Sequence, residues 1–462
     1  RSAASRGVLP GGGDMRQAPD SLASLGSIIL TAGRDDPTGA AVIDGDGVLT
    51  RAQLADRALS LAHVLVDRGV RPDDTVVVHD HNPRATVIAC CAAWIAGACP
   101  LPLDPALPVP DAVSPAAVLS DITDIHSPTD LRPLPDAAAS SWKAVATSGS
   151  TGAPKVVAAT APALLDPTVP VTSFLPREQV QLVTAPLHRS APFTYAFRGL
   201  FTGHTLVLAG DPDPAAWLAA VATYRVTWTM TSPAFLHRLM LLPESTRRAA
   251  DLTSLRTLLH IGAPCPVPLK RAVIDWLGPE RVVEVYAGSE SNGVTVIDGD
   301  EWLAHPGSVG TASGGTQITV RDAAGRDLPA GVTGEVWLRR GETPTYRYLG
   351  GTSQRDAEGW DTLGDLGFLD GDGYLHLVDR AADAIVRDGA TVYPARIEAE
   401  ALRQPAVRDA VAFGLGATGV GLVVETDGDP PHLPGVDLVW AVPGPLRDAA
   451  GKTSRQDWSR RI

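Results

Sequence analysis

Short apolar segments alternate with amphipathic ones through the first half of this chain, and this alternation limits the folds open to it. Residues 51–68 place Leu54, Leu61 and Leu65 on one helical stripe, whereas residues 75–78 form an apolar run of strand length. The pattern continues with predicted strands at 101–103, 182–184, 205–208 and 227–230 and predicted helices at 84–95, 214–224 and 233–241. Strands that alternate with helices predict an α/β fold built on doubly wound sheets.

The second half of the chain has a different pattern. Short strands predicted at 317–320, 334–338 and 374–377 indicate a small distorted β-barrel attached to the sheets. At 462 residues the chain exceeds the usual size of one core. We therefore expect a large N-terminal domain over residues 15–379 and a small α+β C-terminal domain over 383–462. Residues 1–14 are expected to be an expression remnant or disordered leader, and residues 426–445, rich in Asp, Gly and Pro, a loop.

Composition excludes several classes of function. A net charge of −13 argues against a nucleic-acid surface, and the chain has no Lys/Arg run that would indicate an anionic membrane site. The apolar run at 87–103 is too short to span a bilayer. The four cysteines (Cys90, Cys91, Cys99 and Cys265) have no zinc-site spacing, which favours reduced core residues in a cytoplasmic protein.

A Ser/Gly-rich segment ends in one of only four lysines among 39 basic residues. Its members are Thr147, Ser148, Gly149, Ser150, Thr151, Gly152, Ala153, Pro154 and Lys155. Glycines let backbone N–H groups turn toward an anion, and the hydroxyls and the compact ammonium add further donors. The spacing is not that of a Walker A loop. The string alone favours a surface turn, but the strands predicted on both sides, at 142–146 and 156–157, favour a phosphate-binding loop.

This segment closely resembles the phosphate loop of the AMP-forming adenylating enzymes, the superfamily of acyl-CoA synthetases, peptide-synthetase adenylation domains and luciferases. Further segments resemble other motifs of the superfamily in the same order along the chain: 96–105, 255–256, 262–266, 286–290, 307–310, 333–336, 364–367, 379–398 and 451–452. The colinear resemblance covers roughly residues 40–460. The chain is thus identified as a member, most similar to acyl- or aryl-CoA ligases.

The resemblance implies that ATP activates a carboxylic acid to an acyl-adenylate with release of pyrophosphate, and that CoA or a carrier-protein phosphopantetheine then takes the acyl group. Two anions must meet in such a reaction, so the site needs positive charge where negative charge develops. Lys452 is the candidate for that charge, and Glu290 with Thr151 would hold Mg²⁺. The implied ATP/AMP-binding residues are Thr147, Ser148, Gly149, Ser150, Thr151, Gly152, Lys155, Gly262, Ala263, Pro264, Tyr286, Ala287, Gly288, Ser289, Asp365 and Arg380.

The segment 185–193 resembles the part of acyl- and aryl-CoA ligases that lines the acyl pocket. His188 is therefore a second candidate catalytic residue, and the pocket is expected to include His188, Phe193, Gly262 and Gly288. We find no match for the Asp that pairs the substrate amine in amino-acid adenylation domains. The expected substrate is a small carboxylic acid without an α-amino group, acyl or aryl.

The C-terminal part departs from the superfamily pattern. Ala382 occupies the hinge, residues 380–382, where Asp or Lys is usual, and the short stretch between 423 and 451 implies a trimmed, mobile small domain. Gly389 is retained where the thiol passage runs. These departures leave open an adenylating enzyme diverted to another nucleophile or a small oxyanion. A non-catalytic nucleotide-binding homologue is disfavoured because Lys155, Glu290, Asp365, Arg380 and Lys452 are retained together.

Overall fold

The structure is a computed structural model, and it describes residues 21–120, 122, 130–147, 155–210, 212–387, 390–416, 418–447 and 453–461. The expected leader, residues 1–14, lies outside these ranges. The helices are α1 Leu25–Asp35, α2 Arg51–Asp67, α3 Pro83–Ile95, α4 Ser190–Phe201, α5 Pro214–Thr223, α6 Pro233–Met240, α7 Glu244–Ala249, α8 Val267–Leu277, α9 Gly299–Ala304, α10 Pro394–Ala401 and α11 Arg455–Arg461. No helix within these ranges combines the length and the apolar character needed to cross a membrane.

The strands are β1 Ala23–Ser24, β2 Ala40–Asp44, β3 Gly47–Thr50, β4 Thr75–Val78, β5 Cys99–Pro102, β6 Ala117–Leu119, β7 Ala144–Ala146, β8 Val156–Ala159, β9 Leu164–Leu165, β10 Val180–Val183, β11 Thr205–Leu208, β12 Trp228–Thr231, β13 Thr257–His260, β14 Val282–Ala287, β15 Val294–Asp298, β16 Thr311–Ala312, β17 Thr316–Arg321, β18 Gly334–Arg340, β19 Tyr346–Leu349, β20 Asp361–Leu369, β21 Leu375–Arg380, β22 Ile385–Arg387, β23 Ala390–Val392, β24 Asp409–Leu415, β25 Gly419–Glu425 and β26 Leu438–Val442.

The largest sheet has nine strands in the order β16-β15-β14-β13-β12-β10-β11-β2-β3. The strands from β14 to β2 pair in parallel, and antiparallel partners close both ends. Leu258 and Leu259, which are successive in β13, are both fully buried and belong to different core clusters. Because successive side chains of a strand point to opposite faces, both faces of this sheet are covered. The predicted α/β fold is confirmed.

A second parallel sheet, β5-β4-β6, packs with the first helices. Helix α3 begins after Asn82, whose side chain accepts from two backbone N–H groups, and has Pro83 in its first turn, where a missing N–H costs nothing. From Ala85 onward its residues are buried, and Trp94 packs edge-on against Phe197 of α4 with ring centroids 4.9 Å apart. The run at 87–103 is therefore a buried helix that leads into a strand, and Cys90 is one of its core residues.

A small antiparallel sheet, β19-β8-β7, borders the predicted phosphate loop on both sides. Ala146 of β7 pairs with Val156 of β8, so the chain reverses direction between them. Strand β19 pairs with the other edge of β8 and places Tyr348 opposite Val157. This register brings the end of the predicted loop close to residues almost two hundred positions further along the chain.

The predicted strands of the second half form a four-stranded antiparallel sheet, β17-β18-β20-β21, with extra residues at register shifts in β20 and β21. The C-terminal part contains the sheet β24-β25-β26 and the helices α10 and α11. Strand β26 corrects the expectation that residues 426–445 are a loop. It pairs in parallel with β25, and its Trp440 stacks on Phe413 with ring centroids 6.0 Å apart. The flanking Asp, Gly and Pro favoured a loop prediction, but residues 438–442 form a strand through parallel pairing with β25.

Candidate functional site

A cleft of about 3430 Å³ runs between the nine-stranded sheet, the phosphate-loop sheet and the C-terminal part. Thirteen of the residues singled out from the sequence line it: Thr147, Lys155, Gly262, Ala263, Pro264, Tyr286, Ala287, Gly288, Ser289, Glu290, Asp365, Arg380 and Ala382. Others fall outside the described residues: Ser148, Gly149, Ser150, Thr151, Gly152, Gly389 and Lys452. The described candidates for nucleotide binding thus come together in one cavity.

Asp365 is held from two sides. It lies directly opposite Arg380 in the β20–β21 pair, and Nε of Arg380 is 3.3 Å from its Oδ1. The hydroxyl of Tyr286, from β14, donates to its Oδ2 at 2.7 Å. Burial raises the pKa of Asp365 in spite of Arg380, because the arginine side chain is half exposed and its charge is screened by solvent. Both carboxylate oxygens are therefore fixed in direction, as recognition of a diol requires.

Glu290 and Lys155 are linked through Tyr348, a residue that sequence reasoning missed. The Tyr348 hydroxyl donates to Oε1 of Glu290 at 2.8 Å, and Nζ of Lys155 lies 5.0 Å from the centre of the same ring. The signal in the sequence was the alternation in 346–349, which predicts a strand with two tyrosines on one face. The arrangement brings a carboxylate and an ammonium to one aromatic ring at the cleft.

Gly288 allows Glu290 to occupy this position. A Cβ on Gly288 would lie 2.9 Å from Oε2 of Glu290 and 2.6 Å from a methyl group of Leu363. Ser291, the residue after Glu290, has a φ of 54°, which is uncommon for a residue other than glycine. The absence of a side chain at residue 288 thus leaves room for the Glu290 carboxylate, which folds back over the backbone of Gly288.

The acyl-side expectations need correction. Phe193 is fully buried in the core, where its ring packs against Phe197 at 4.6 Å and Trp142 at 5.8 Å between centroids, so it is not a pocket residue. The next residue of α4, Thr194, lines the cleft instead. Nε2 of His188 lies 3.8 Å from Oδ2 of Asp104, and the lining of the cleft includes its described neighbour Arg189 rather than His188 itself.

Lys143 is a further cleft residue that sequence reasoning missed. Lys143 immediately precedes β7 and is only 4% exposed to solvent. Its Nζ donates to Oγ1 of Thr194 at 2.7 Å. Burial, together with the nearby Arg198 guanidinium, lowers the pKa of Lys143 to about 7. The scarcity of lysine could have drawn attention to this residue, since the chain has only four lysines.

Arg455 connects the C-terminal helix to the region of the expected hinge. Its Nη1 donates to Oδ2 of Asp383 at 2.6 Å, and its Nε donates to Oε1 of Glu398 at 3.1 Å. Ala382 lies in the 3₁₀ turn Ala381–Asp383, next to the first of these partners. Arg455 follows Lys452 by three positions, so the segment that leads away from that lysine is anchored beside the expected hinge.

Comparisons with known proteins agree with this geometry. The sequence pattern described as AMP-binding enzyme matches residues 31–117 and 144–349. Feruloyl-CoA synthases of an Amycolatopsis and a Streptomyces species are each 33% identical over 87% of this chain and 89% of their own length. Pyochelin synthetase of Pseudomonas aeruginosa is 29% identical over 84% of this chain, which corresponds to 29% of that larger protein.

Solved structures share the fold. The amide bond synthetase of Marinactinospora thermotolerans superposes with a TM-score of 0.75 at 24% identity, covering 95% of this chain and 99% of that one. The o-succinylbenzoate CoA synthetase of Bacillus subtilis gives a TM-score of 0.75 at 20% identity, covering 95% and 98%. The chain therefore belongs to the AMP-binding enzyme family, and the expected AMP-forming acid ligase, which activates a carboxylic acid to an acyl-adenylate with ATP, is confirmed.

Proposed function

We propose that this ligase activates an aromatic carboxylic acid and transfers the acyl group to the thiol of CoA. The substrate class is supported by the likeness to feruloyl-CoA synthases over most of both chains. The observation that carries the proposal is that Asp365, an acceptor suited to a diol, and the cation Lys155 line one cleft, together with apolar residues such as Phe174 and Met230. A carrier-protein phosphopantetheine is the second acceptor we consider, since a peptide synthetase is among the relatives.

In this proposal Asp365 accepts the two ribose hydroxyls of ATP. Its carboxylate needs no rearrangement, because the hydrogen bond from Tyr286 and the ion pair with Arg380 already hold it in place. Lys155 steadies the departing phosphates as a compact point charge. Lys452 bridges the incoming carboxylate and the α-phosphate, where negative charge develops in the transition state.

Mg²⁺ fits the donor set at Glu290. One oxygen of that carboxylate is held by Tyr348, and the carboxylate lines the cleft beside a cationic side chain. A single protein carboxylate suits Mg²⁺, which keeps several waters and binds substrate phosphates directly. When bound, the ion would neutralise charge on the phosphates, and Glu290, with Thr151, would hold it.

Transfer to CoA is proposed to need a turn of the small domain, residues 383–462, about the hinge 380–382. Lys452 and the passage at Gly389 would face the acyl group in succession. Arg455 would keep its pairs with Asp383 and Glu398 as the domain turns, whereas its contact with Asp379 of the large domain, at 3.7 Å, would break. A cytoplasmic setting is part of the proposal, supported by free thiols at Cys90, Cys91, Cys99 and Cys265.

Pyrophosphate release tests the proposal. A panel of aromatic, aliphatic and amino acids is offered with ATP and Mg²⁺, with and without CoA, and thioester formation is followed in parallel. We expect release with aromatic acids and thioester only when CoA is present. Release followed by acyl transfer to an amine and not to CoA would replace the proposed acceptor, and release restricted to amino acids would overturn the substrate class.

A further inference from the structure

Lys143 is a buried cation that the proposed reaction does not use. Its backbone lies just before β7, and its side chain crosses to α4, where the ammonium donates to Thr194. The ammonium lies 5.2 Å from the centre of the Trp142 ring, and the Arg198 guanidinium lies 5.4 Å from the same centre. Two cationic side chains that line the cleft therefore lie near one aromatic ring.

The charge of Lys143 is poorly balanced. Among the residues that the structure describes, no carboxylate forms an ion pair with it, and Thr194 accepts only one of its three N–H donors. Arg198 adds a like charge, and the carboxylate of Glu290 has a smaller, opposite effect. Burying an ammonium without a negative partner is costly, and a perturbed ionisable group in a cleft is a candidate for ligand binding.

The position of Lys143, Thr194 and Arg198 indicates that they contact the acid and not the nucleotide. Ser190, Thr194 and Arg198 are four residues apart in α4 and line the cleft together. Helix α4 directly follows the segment 185–189, which resembles the acyl-pocket segment of CoA ligases. The cation on the phosphate side, Lys155, contacts a different ring, that of Tyr348. The two lysines thus lie near different aromatic rings, Lys143 near Trp142 and Lys155 near Tyr348.

We propose that Lys143, Thr194 and Arg198 form an oxygen-recognition pocket in the acyl site, which binds a second oxygen group of the acid, phenolic or carboxylate. This proposal rests on the proposed activation of an aromatic acid. Lys143 is then a specificity-determining residue: it donates to the substituent of the acid, while the activated carboxylate reacts elsewhere in the cleft. Both cations lie near the Trp142 ring, so the substituent must reach the part of the cleft beside that ring to be bound.

The test compares acids that share a skeleton and differ in the substituent: cinnamic, 4-hydroxycinnamic and 4-carboxycinnamic acid. The measured quantity is the ratio of kcat/KM for an oxygenated acid to that for cinnamic acid, from pyrophosphate release. In the wild type we expect the ratio to be at least about 10, because a site built to donate hydrogen bonds rejects an analogue that lacks the acceptor. A phenol-only or a carboxylate-only preference identifies which oxygen the pocket takes.

Lys143→Met removes the charge and keeps the length of the side chain. We expect the ratio to fall about tenfold or more, with the KM for ATP unchanged. Arg248→Met, which removes an exposed cation of α7, is the control and should leave the ratio unchanged. Should Lys143→Met fail to fold, Thr194→Val tests the same pocket through the loss of its hydroxyl.

Two results would overturn the proposal. A ratio unaffected by Lys143→Met and Thr194→Val would make Lys143 a structural residue. A rise in the KM for ATP with an unchanged ratio would assign Lys143 to the phosphates. Failure of the proposed function looks different, since no aromatic acid would then release pyrophosphate in the wild type.

Discussion

Tyr348 donates a hydrogen bond to Oε1 of Glu290 at 2.8 Å, although the two residues are 58 positions apart. The pairing of β19 with β8 sets this contact, because it brings Tyr348 beside the strand that follows Lys155. The carboxylate proposed to hold Mg²⁺ is thus oriented by a phenol from another sheet.

The hydroxyl of Tyr348 is therefore predicted to affect the metal dependence of the reaction. Tyr348→Phe removes one hydrogen bond to a charged group but keeps the ring beside Lys155. The Mg²⁺ concentration for half-maximal pyrophosphate release should rise roughly tenfold. Tyr224→Phe is the control: it removes an exposed hydroxyl at the end of α5, away from the cleft, and should leave the metal dependence unchanged. Equal metal dependence in both variants would contradict the role of Tyr348.

Asp365→Asn should weaken nucleotide binding. The variant keeps the shape of the side chain but replaces one acceptor oxygen by a donor, and it removes the charge that Arg380 faces. We expect kcat/KM for ATP to fall about 10²-fold, measured at saturating acid. Asp372→Asn, an exposed change in the turn between β20 and β21, should have no effect on ATP. An unchanged KM for ATP in Asp365→Asn would remove Asp365 from the nucleotide site.

The depressed pKa of Lys143 predicts a pH-dependent stability. Burial and Arg198 lower this pKa to about 7 from the ordinary value of 10.5, while the carboxylate of Glu290 favours the charged form. Between these two values the unfolded chain binds the proton and the folded chain does not. The contribution of Lys143 to the free energy of unfolding therefore rises with pH, by up to about 1.4 kcal/mol per pH unit.

Denaturant titrations of wild type and Lys143→Met at pH 7 and pH 9 measure this contribution. The variant should be the more stable protein at pH 7, and its advantage should shrink at pH 9 as the wild type recovers. A difference that is the same at both values would contradict the depressed pKa.

Replacement of Lys270, which is also buried, should destabilise the protein. Its Nζ donates to Oε2 of Glu284 at 2.5 Å, and burial raises the pKa of that carboxyl. Lys270→Met leaves a buried carboxylate without its partner, which should cost roughly 3–5 kcal/mol of unfolding free energy. The double variant Lys270→Met with Glu284→Gln should regain part of the loss. Thermal unfolding of the three proteins checks this, and a stable single variant would contradict it.

Ala382→Pro should separate the two half-reactions. Proline fixes its own φ and disfavours the helical conformation of the residue before it, so it restricts the 3₁₀ turn at 381–383. We expect thioester formation to slow more than adenylation in single-turnover measurements. Equal slowing of both steps would indicate that one arrangement of the two domains serves both.

The sequence predicted the fold where hydrophobic periodicity was strong and missed what depended on side-chain direction. The alternation at 205–208 and 214–224 gave β11 and α5 almost to the residue. Phe193 was assigned to the pocket because its segment resembled one, yet neighbouring helical residues point about 100° apart, so Thr194 faces the cleft and Phe193 the core. Strand β26 was missed because only its pairing with β25 distinguishes it from the polar loop around it. Tyr348 was missed for a similar reason, since only the register of β19 on β8 brings it to Glu290.

Strand β8 lies between β7 and β19, and this position has a consequence for how the two substrates influence each other. Lys143, proposed to bind the substituent of the acid, directly precedes β7, the strand that enters the predicted phosphate loop. Tyr348, which orients the proposed metal ligand, lies in β19, the strand paired to β8 at the exit of that loop. A ligand that immobilises one side lowers the entropy that the other side still has to lose. Acid and Mg²⁺-ATP should therefore bind with positive cooperativity, each reducing the apparent dissociation constant of the other.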